Sequence, residues 1–150
     1  IPQGLTLDDT VDDWLDWLLT QKVLPSFVQD GFTFVSDYPA SQCALAKIAE
    51  NEQGQPVAKR FELFFGEIEL ANGFYELTDA EEQLSRFQQE NERRLQSGME
   101  PSAIDENFIS ALESGLPECA GVAVGLDRLL MAKTVCQRID QVLAFPWLKA

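Results

Sequence analysis

The sequence predicts one α+β domain, an antiparallel β-sheet with flanking helices on one side. Three observations lead there. Residues 59–77, KRFELFFGEIELANGFYEL, have the pattern and punctuation of a β-hairpin. Helix-start signals stand on both sides of it, at Thr6 and at Thr78. Residues 119–130, CAGVAVGLDRLL, pass from small and β-branched residues through Gly125 into a helical pattern. A chain of 150 residues that is 45% hydrophobic suits one domain with a real core.

Taken in order, residues 6–22 read as a helix inside a helical segment 1–30. Thr6 and Asp9 make a capping-box-like start, and Asp8, Asp9 and Asp12 suit the positive helix end. Val11, Trp14, Leu15 and Leu18 recur at helical spacing and are expected inward. Asp8, Asp12, Asp13 and Asp16 are expected to face water, with Trp17 off the apolar stripe. Pro25 closes the segment. Residues 32–35 form a short strand leading into Asp37–Tyr38–Pro39, an extended or turn segment. Residues 40–49 are ambiguous; Ala44, Leu45, Ala46 and Ile48 allow a short helix. Residues 50–56, ENEQGQP, are a polar loop.

In the hairpin, Gly66–Glu67 fits a two-residue primed turn. That turn sets Phe65 against Ile68, Phe64 against Glu69 and Glu62 against Ala71. Glu62 and Glu69 then share a face as diagonal neighbours, with Cβ atoms roughly 7 Å apart. Their tips could share a divalent ion. Glu76 has the opposite parity and joins that face only if a β-bulge intervenes, for which Asn72–Gly73 is the expected place. The other reading of Asn72–Gly73 is a second hairpin turn. Carboxylates among Phe61, Phe64, Phe65 and Phe74 need cationic partners, because burying an unpaired charge is costly.

Thr78 and Glu81 form a capping box for a long polar helix to about Gln96, with Arg93 and Arg94 near its end and Gly98 after it. Its apolar stripe is thin: Leu84, Phe87 and Leu95. Residues 98–102 are a turn. Residues 105–114 make a short helix with Phe108, Ile109 and Leu112 inward. Residues 120–124 are expected to be a buried strand, with Gly121 and Gly125 allowing close approach. Arg128 falls in the first turn of the next helix, where the helix dipole opposes a cation. A bound phosphate would resolve that conflict; pairing with a core carboxylate is the alternative. Residues 139–145 close the chain as a short apolar element.

The charge balance excludes several functions. With 11 basic against 25 acidic residues, the net charge is −14, a poor surface for nucleic acid or anionic membranes. No run reaches membrane-spanning length. Cys43, Cys119 and Cys136 are odd in number and widely spaced, so neither zinc nor a disulfide framework is indicated, and a cytoplasmic setting is expected. There is no histidine, which removes Ser–His and Cys–His catalysis and histidine metal sites. The first residue is Ile1 rather than Met, which fits a piece of a longer protein. The hairpin acids with the strand–Gly–Asp–Arg–helix element suggest a magnesium–nucleotide site. Mg²⁺ typically takes one or two carboxylates together with substrate phosphates.

These residues also carry a resemblance. GVAVGLDRLLM (121–131) resembles motif 3 of class II aminoacyl-tRNA synthetases. RFELFFGEIELANGFYELTDAEEQ (60–83) is similar to the corresponding lysyl-tRNA synthetase segment, and the match continues through FTFVSDYPASQCALAKI and GLPECAGVAVGLDRL. Pro39–Ala40–Ser41–Gln42 and Glu118–Cys119 look closest to a shorter paralogous family, the elongation factor P β-lysine ligases. The resemblance implies a partial class II catalytic core in which 1–150 is the C-terminal part of the catalytic domain. Motifs 1 and 2 are absent from these residues, so the chain alone is expected to be inactive and to expose apolar sheet edges.

The resemblance also implies roles. Glu62 and Glu69 would hold Mg²⁺ against the phosphates of ATP. Glu69, Leu70, Gly125 and Arg128 would contact ATP, with Arg128 and Glu69 nearest the reaction. Asn72, Phe74, Glu76 and Ala123 would form the amino-acid pocket, Glu76 reading the substrate's side-chain amine. Ala123 stands where lysyl-tRNA synthetases usually have Gly, consistent with a pocket reshaped for β-lysine. The implied partners are ATP, lysine or β-lysine, and elongation factor P, with tRNA disfavoured and the full-length protein a homodimer. Two alternatives stand beside this reading: a lysyl-tRNA synthetase fragment, and a non-catalytic synthetase-like binding module.

Overall fold

A computed structural model describes residues 10–147. The Thr6/Asp9 helix start lies outside the described residues. Within them, Thr10 caps the first helix, α1 (Val11–Leu18), in a reciprocal box with Asp13. Backbone and hydroxyl of Thr10 both donate to the Asp13 carboxylate, at 2.7 and 2.6 Å. The inward stripe is not realised. Val11 is 75% exposed, Leu15 and Leu18 are exposed, and no residue of α1 is buried. A cleft of about 330 Å³ remains between α1 and the first strand, so the stripe is not sealed. Asp13 and Asp16 are exposed as expected, and Asp12 is half-exposed. Asp12 accepts from Ser41 Oγ at 2.8 Å and Asp16 from Gln42 Nε2 at 3.0 Å. A π-helical turn (Leu19–Val23) and a 3₁₀ turn (Leu24–Ser26) containing Pro25 end the segment.

Five strands form one antiparallel sheet: β1 (Phe32–Pro39), β2 (Ile48–Glu50), β3 (Pro56–Phe65), β4 (Ile68–Tyr75) and β5 (Ala120–Val124). The order is β1-β3-β4-β5, and β2 pairs with the start of β3 on the side that β4 takes further along. Strand β1 runs to Pro39, not Val35, because a bulge at Asp37 (φ 56°) carries the pairing through the segment read as a turn. Residues 40–49 hold no α-helix. A 3₁₀ turn (Ala40–Gln42) leads to Ala46, which bridges Glu76, and then to β2. Tyr38, Ala46 and Ala58 make a buried cluster, with Val35, Cys43 and Phe74 against it.

The β3–β4 turn falls at Gly66–Glu67, with Gly66 at φ +53° as a primed turn requires. The register then departs from the simple hairpin. Phe64 faces Glu69 as expected, but Leu63 faces Ala71 and Glu62 faces Asn72. The extra residue is Leu70, so the bulge lies there and not at Asn72–Gly73. Leu70 is 2% exposed and its carbonyl accepts the Gly125 N–H at 2.8 Å, which gives the unpaired residue a partner. Asn72 and Gly73 stay in the strand, paired with Ala123 and Val122, so there is no second turn. Gly73 has a packing role instead: a Cβ there would lie 2.5 Å from the Phe61 ring.

Among the described residues four α-helices flank the sheet. Helix α2 (Ala80–Gln96) is capped by Asp79, which accepts from Glu82 N at 2.9 Å, one residue later than the Thr78/Glu81 box. Leu95 is 59% exposed, and the buried residue of α2 is Gln83. Arg86 donates to the carbonyls of Ala44 and Ala46 at 3.2 and 2.8 Å, fastening α2 to the chain before β2. Helix α3 (Glu106–Glu113) begins at Asp105 and buries Ile109 and Leu112. Phe87 and Phe108 pack at 6.1 Å between α2 and α3. Helix α4 (Leu126–Thr134) follows β5, and a 3₁₀ turn (Ile139–Gln141) comes near the end. Strand β5 is formed but not buried: Val122 and Val124 are 56% and 46% exposed, because β5 is an edge with one neighbour. Phe32 and Phe34 at the other edge are 61% and 65% exposed, so apolar edges are open as expected.

Glu118 ties the β5 approach to the body of the sheet. Lys47 Nζ donates to it at 2.7 Å, and the Tyr75 hydroxyl donates to its other oxygen. These bonds, Lys47 first, hold the Glu118 carboxyl below its ordinary value of 4.5. A lowered carboxyl pKa adds stability above the ordinary value and loses it as pH falls through the lowered one. The stability difference between the protein and Glu118→Gln should therefore be full above pH 4.5 and close below it, as read by urea denaturation across pH. Gly73→Ala should destabilise by about 1–3 kcal/mol, because the Phe61 ring must move for the new methyl; thermal and urea melting check it.

Candidate active site

The bulge at Leu70 decides which side chains meet. Alternation along β3 puts Arg60, Glu62 and Phe64 on one face. Pairing puts Glu69 opposite Phe64 and Asn72 opposite Glu62, so Asn72, Phe74 and Glu76 follow on that same face. Ala123 and Gly121 of β5 pair with Asn72 and Phe74 and extend it. The register thus brings Glu62, Glu69, Asn72, Phe74, Glu76 and Ala123 to one side of the sheet.

The acids differ in their surroundings. Glu62 is buried at 9% exposure and carries an ion pair with Arg60. Asn72 Nδ2 reaches the same oxygen at 3.5 Å. Glu69 is half-buried; its backbone carbonyl accepts from Arg128 Nη1 at 3.0 Å, and its carboxylate lies 3.9 Å from the same nitrogen. Among the described residues no cation pairs with Glu76. Its carboxylate lies against Gly121, where a Cβ would come within 2.3 Å of Oε1. A side chain at 121 would therefore require the end of the Glu76 side chain to move. Gly125 is different: a Cβ there would meet Arg128 and the Leu70 carbonyl at 3.6 Å, an ordinary contact, and its φ of −76° suits any residue.

Arg60, which the motif reading did not single out, is the cation that meets Glu62. Its signal was present: Arg60 and Glu62 stand two apart in a strand and so share a face. The guanidinium lies 4.5 Å from the Tyr38 ring centroid and 5.9 Å from that of Phe74. It also donates to Asn72 Oδ1 and to the Gln42 carbonyl, each at 3.3 Å. The Tyr38 hydroxyl is buried beside this group and has no hydrogen-bond partner among the described residues. Burial, and next the Glu62 carboxylate, push its pKa well up, so it stays a donor.

Helix α4 begins beneath this face. Gly125 occupies its N-cap with no side-chain cap, so the N–H groups of its first turn remain open beside Arg128, which is half-exposed. The carboxylates on this face that could hold a divalent ion are Glu62 and Glu69. No group of three or more acidic or cysteine ligands occurs among the described residues. Two carboxylates on one face fit an ion that takes its remaining ligands from phosphates.

The chain belongs to the class II tRNA synthetase family (D, K and N), whose family model matches residues 21–149. Its relatives narrow the position. It is 54% identical over 136 residues to an elongation factor P--(R)-beta-lysine ligase of Vibrio parahaemolyticus, covering 91% of this chain and 42% of that protein. A protein of the same name from Vibrio campbellii is 59% identical over 114 residues, 76% of this chain and 35% of the relative. One from Proteus mirabilis is 46% identical over 143 residues, 95% and 43% respectively. The chain thus spans less than half the length of these relatives.

The glycines give a paired test on the full-length protein. Gly121→Ala should displace the Glu76 carboxylate and raise KM for an amine-bearing substrate about 10- to 100-fold, the worth of a hydrogen bond to a charged group. Gly125→Ala should meet no clash and cost only about 1 kcal/mol, because Gly is preferred to Ala at an N-cap. Steady-state kinetics and melting curves check the two outcomes.

Proposed function

We propose that the full-length protein activates lysine or β-lysine with ATP and transfers the aminoacyl group to a lysine of elongation factor P. The observation that carries this reading is Glu76. It is a carboxylate without a cation among the described residues, on the same face as Glu62 and Glu69, in a chain of the class II tRNA synthetase family. An ammonium group on the substrate supplies the missing cation. The names of the curated relatives support β-lysine and elongation factor P as the particular substrates.

In this reading the substrate lies along β4, with Phe74 and Ala123 shaping the pocket, Asn72 at one side and Glu76 holding the amine. ATP lies toward the bulge and the start of α4, contacted by Glu69, Leu70 and Gly125. Arg128 neutralises phosphate charge where the open N–H groups of α4 favour an anion. Mg²⁺, held by Glu62 and Glu69, supplies charge neutralisation and orientation of the phosphates when bound. The substrate carboxylate attacks the α-phosphate, giving an aminoacyl-adenylate and pyrophosphate. A carboxylate with pKa about 4 or below is already ionised at neutral pH, so no general base is required. A chain without histidine is therefore no obstacle. Positioning and charge neutralisation carry the step. The amine of the acceptor lysine then takes the acyl group and releases AMP. A net charge of −14 favours a protein acceptor over tRNA. A cytoplasmic homodimer completes the proposal.

The full-length protein should support ATP–pyrophosphate exchange with β-lysine, faster than with α-lysine and without tRNA. Equal or better exchange with α-lysine, together with tRNA charging, would replace this reading with a lysyl-tRNA synthetase. Glu76→Gln should lower kcat/KM for the amino acid by about 10- to 100-fold.

A further inference from the structure

Arg60 has no part in the proposed chemistry, yet it is the most tightly held cation on the site face. Its side chain is 17% exposed, lies against the rings of Tyr38 and Phe74, and has all three nitrogens engaged. Nε donates to Asn72, Nη1 to the Gln42 carbonyl and Nη2 to Glu62. These contacts determine the orientation of Asn72. Arginine has donors and no acceptor, so the Asn72 atom facing Nε must be the carbonyl oxygen. An ionised carboxylate is an acceptor only, so the atom facing Glu62 must be the amide nitrogen. The two neighbours fix the same orientation independently.

We propose that Arg60 is a positioning residue that locks the Asn72 amide with its N–H edge toward the pocket. Asn72 then reads an acceptor on the amino acid, its carboxylate, while Glu76 reads the ammonium. The inference rests on the proposed function for the identity of the ligand. The pocket gains a polarity: a donor side at Asn72 and an acceptor side at Glu76. Arg60 does this without touching substrate. Its charge is spent on Glu62, so the substrate carboxylate meets an amide and not a competing free cation.

Two readouts on the full-length protein test this. The first needs no activity. Solvent exchange of the Arg60 Nε–H, followed by NMR on ¹⁵N-labelled protein, should be slow and should speed up about tenfold in Asn72→Ala, the loss of one hydrogen bond. Glu62→Gln should change it less, because Glu62 is held by Nη2. An Nε–H exchange rate that Asn72→Ala does not move overturns the lock. The second readout is kinetic. Arg60→Lys keeps a cation for Glu62 but lacks the fork. It should raise KM for the amino acid about tenfold and far more than it changes kcat or KM for ATP. Asn72→Asp removes the donor and should raise the same KM, with a smaller further effect in the Arg60→Lys background. Full rescue by lysine, or additive effects, overturns the proposal. If the unaltered protein exchanges pyrophosphate with no form of lysine, the proposed function fails, and the Nε–H exchange rates alone decide the lock.

Discussion

One inserted residue governs the arrangement of this protein's candidate site. Leu70 interrupts the β3–β4 ladder and shifts the phase of everything after it. Side chains alternate across a strand, so a shift by one residue moves a whole set to the other face. Without Leu70, Asn72, Phe74 and Glu76 would lie opposite to Glu62. With it, they share the face of Glu62 and Glu69. The bulge also gives Gly125 its partner through the Leu70 carbonyl, which couples the start of α4 to the same irregularity. A departure from regular pairing is thus what joins the carboxylates, the pocket residues and Arg128.

Electrostatics explains why the carboxylates are tolerated there. A buried charge is retained at low cost only when paired and hydrogen-bonded. Glu62 meets this condition internally, with Arg60 and Asn72 on one oxygen. Glu69 meets it in part, with Arg128 at 3.9 Å and some exposure to water. Glu76 has no cation among the described residues, and Gly121 leaves room for its carboxylate. The three acids form a graded series from satisfied to unsatisfied. The least satisfied member is the one to which substrate recognition is assigned.

Much of the fold was legible in the sequence because its signals are local. The Gly66–Glu67 turn, the short helix α3 and the β5–Gly125–α4 passage all rest on a few adjacent residues. The need for a cation near the glutamates was legible too, from the cost of burying charge. The position of the bulge was not. Asn72–Gly73 has the better local chemistry, but the bulge falls at Leu70, whose carbonyl accepts the Gly125 N–H from far along the chain. The apolar stripe of α1 misled for a related reason: periodicity reports an amphipathic helix, not whether a neighbour covers it. Residues 40–49 followed tertiary pairing, Ala46 with Glu76, over helix propensity.

The contrast between β4 and β5 bears on how such a pocket can change its substrate. The acidic residues come from one continuous hairpin, whereas Gly121 and Ala123 arrive from a strand beyond α2 and α3. The hairpin fixes charge, and the distant strand fixes room. A substitution at 123 alters the volume beside Asn72 without disturbing any ion pair, and a substitution at 121 moves one carboxylate only. In the proposed function, substrate size would then drift by exchanging single methyl groups on β5 while the residues assigned to the phosphates stay as they are. Such a partition lets one scaffold supply enzymes for closely related amino acids.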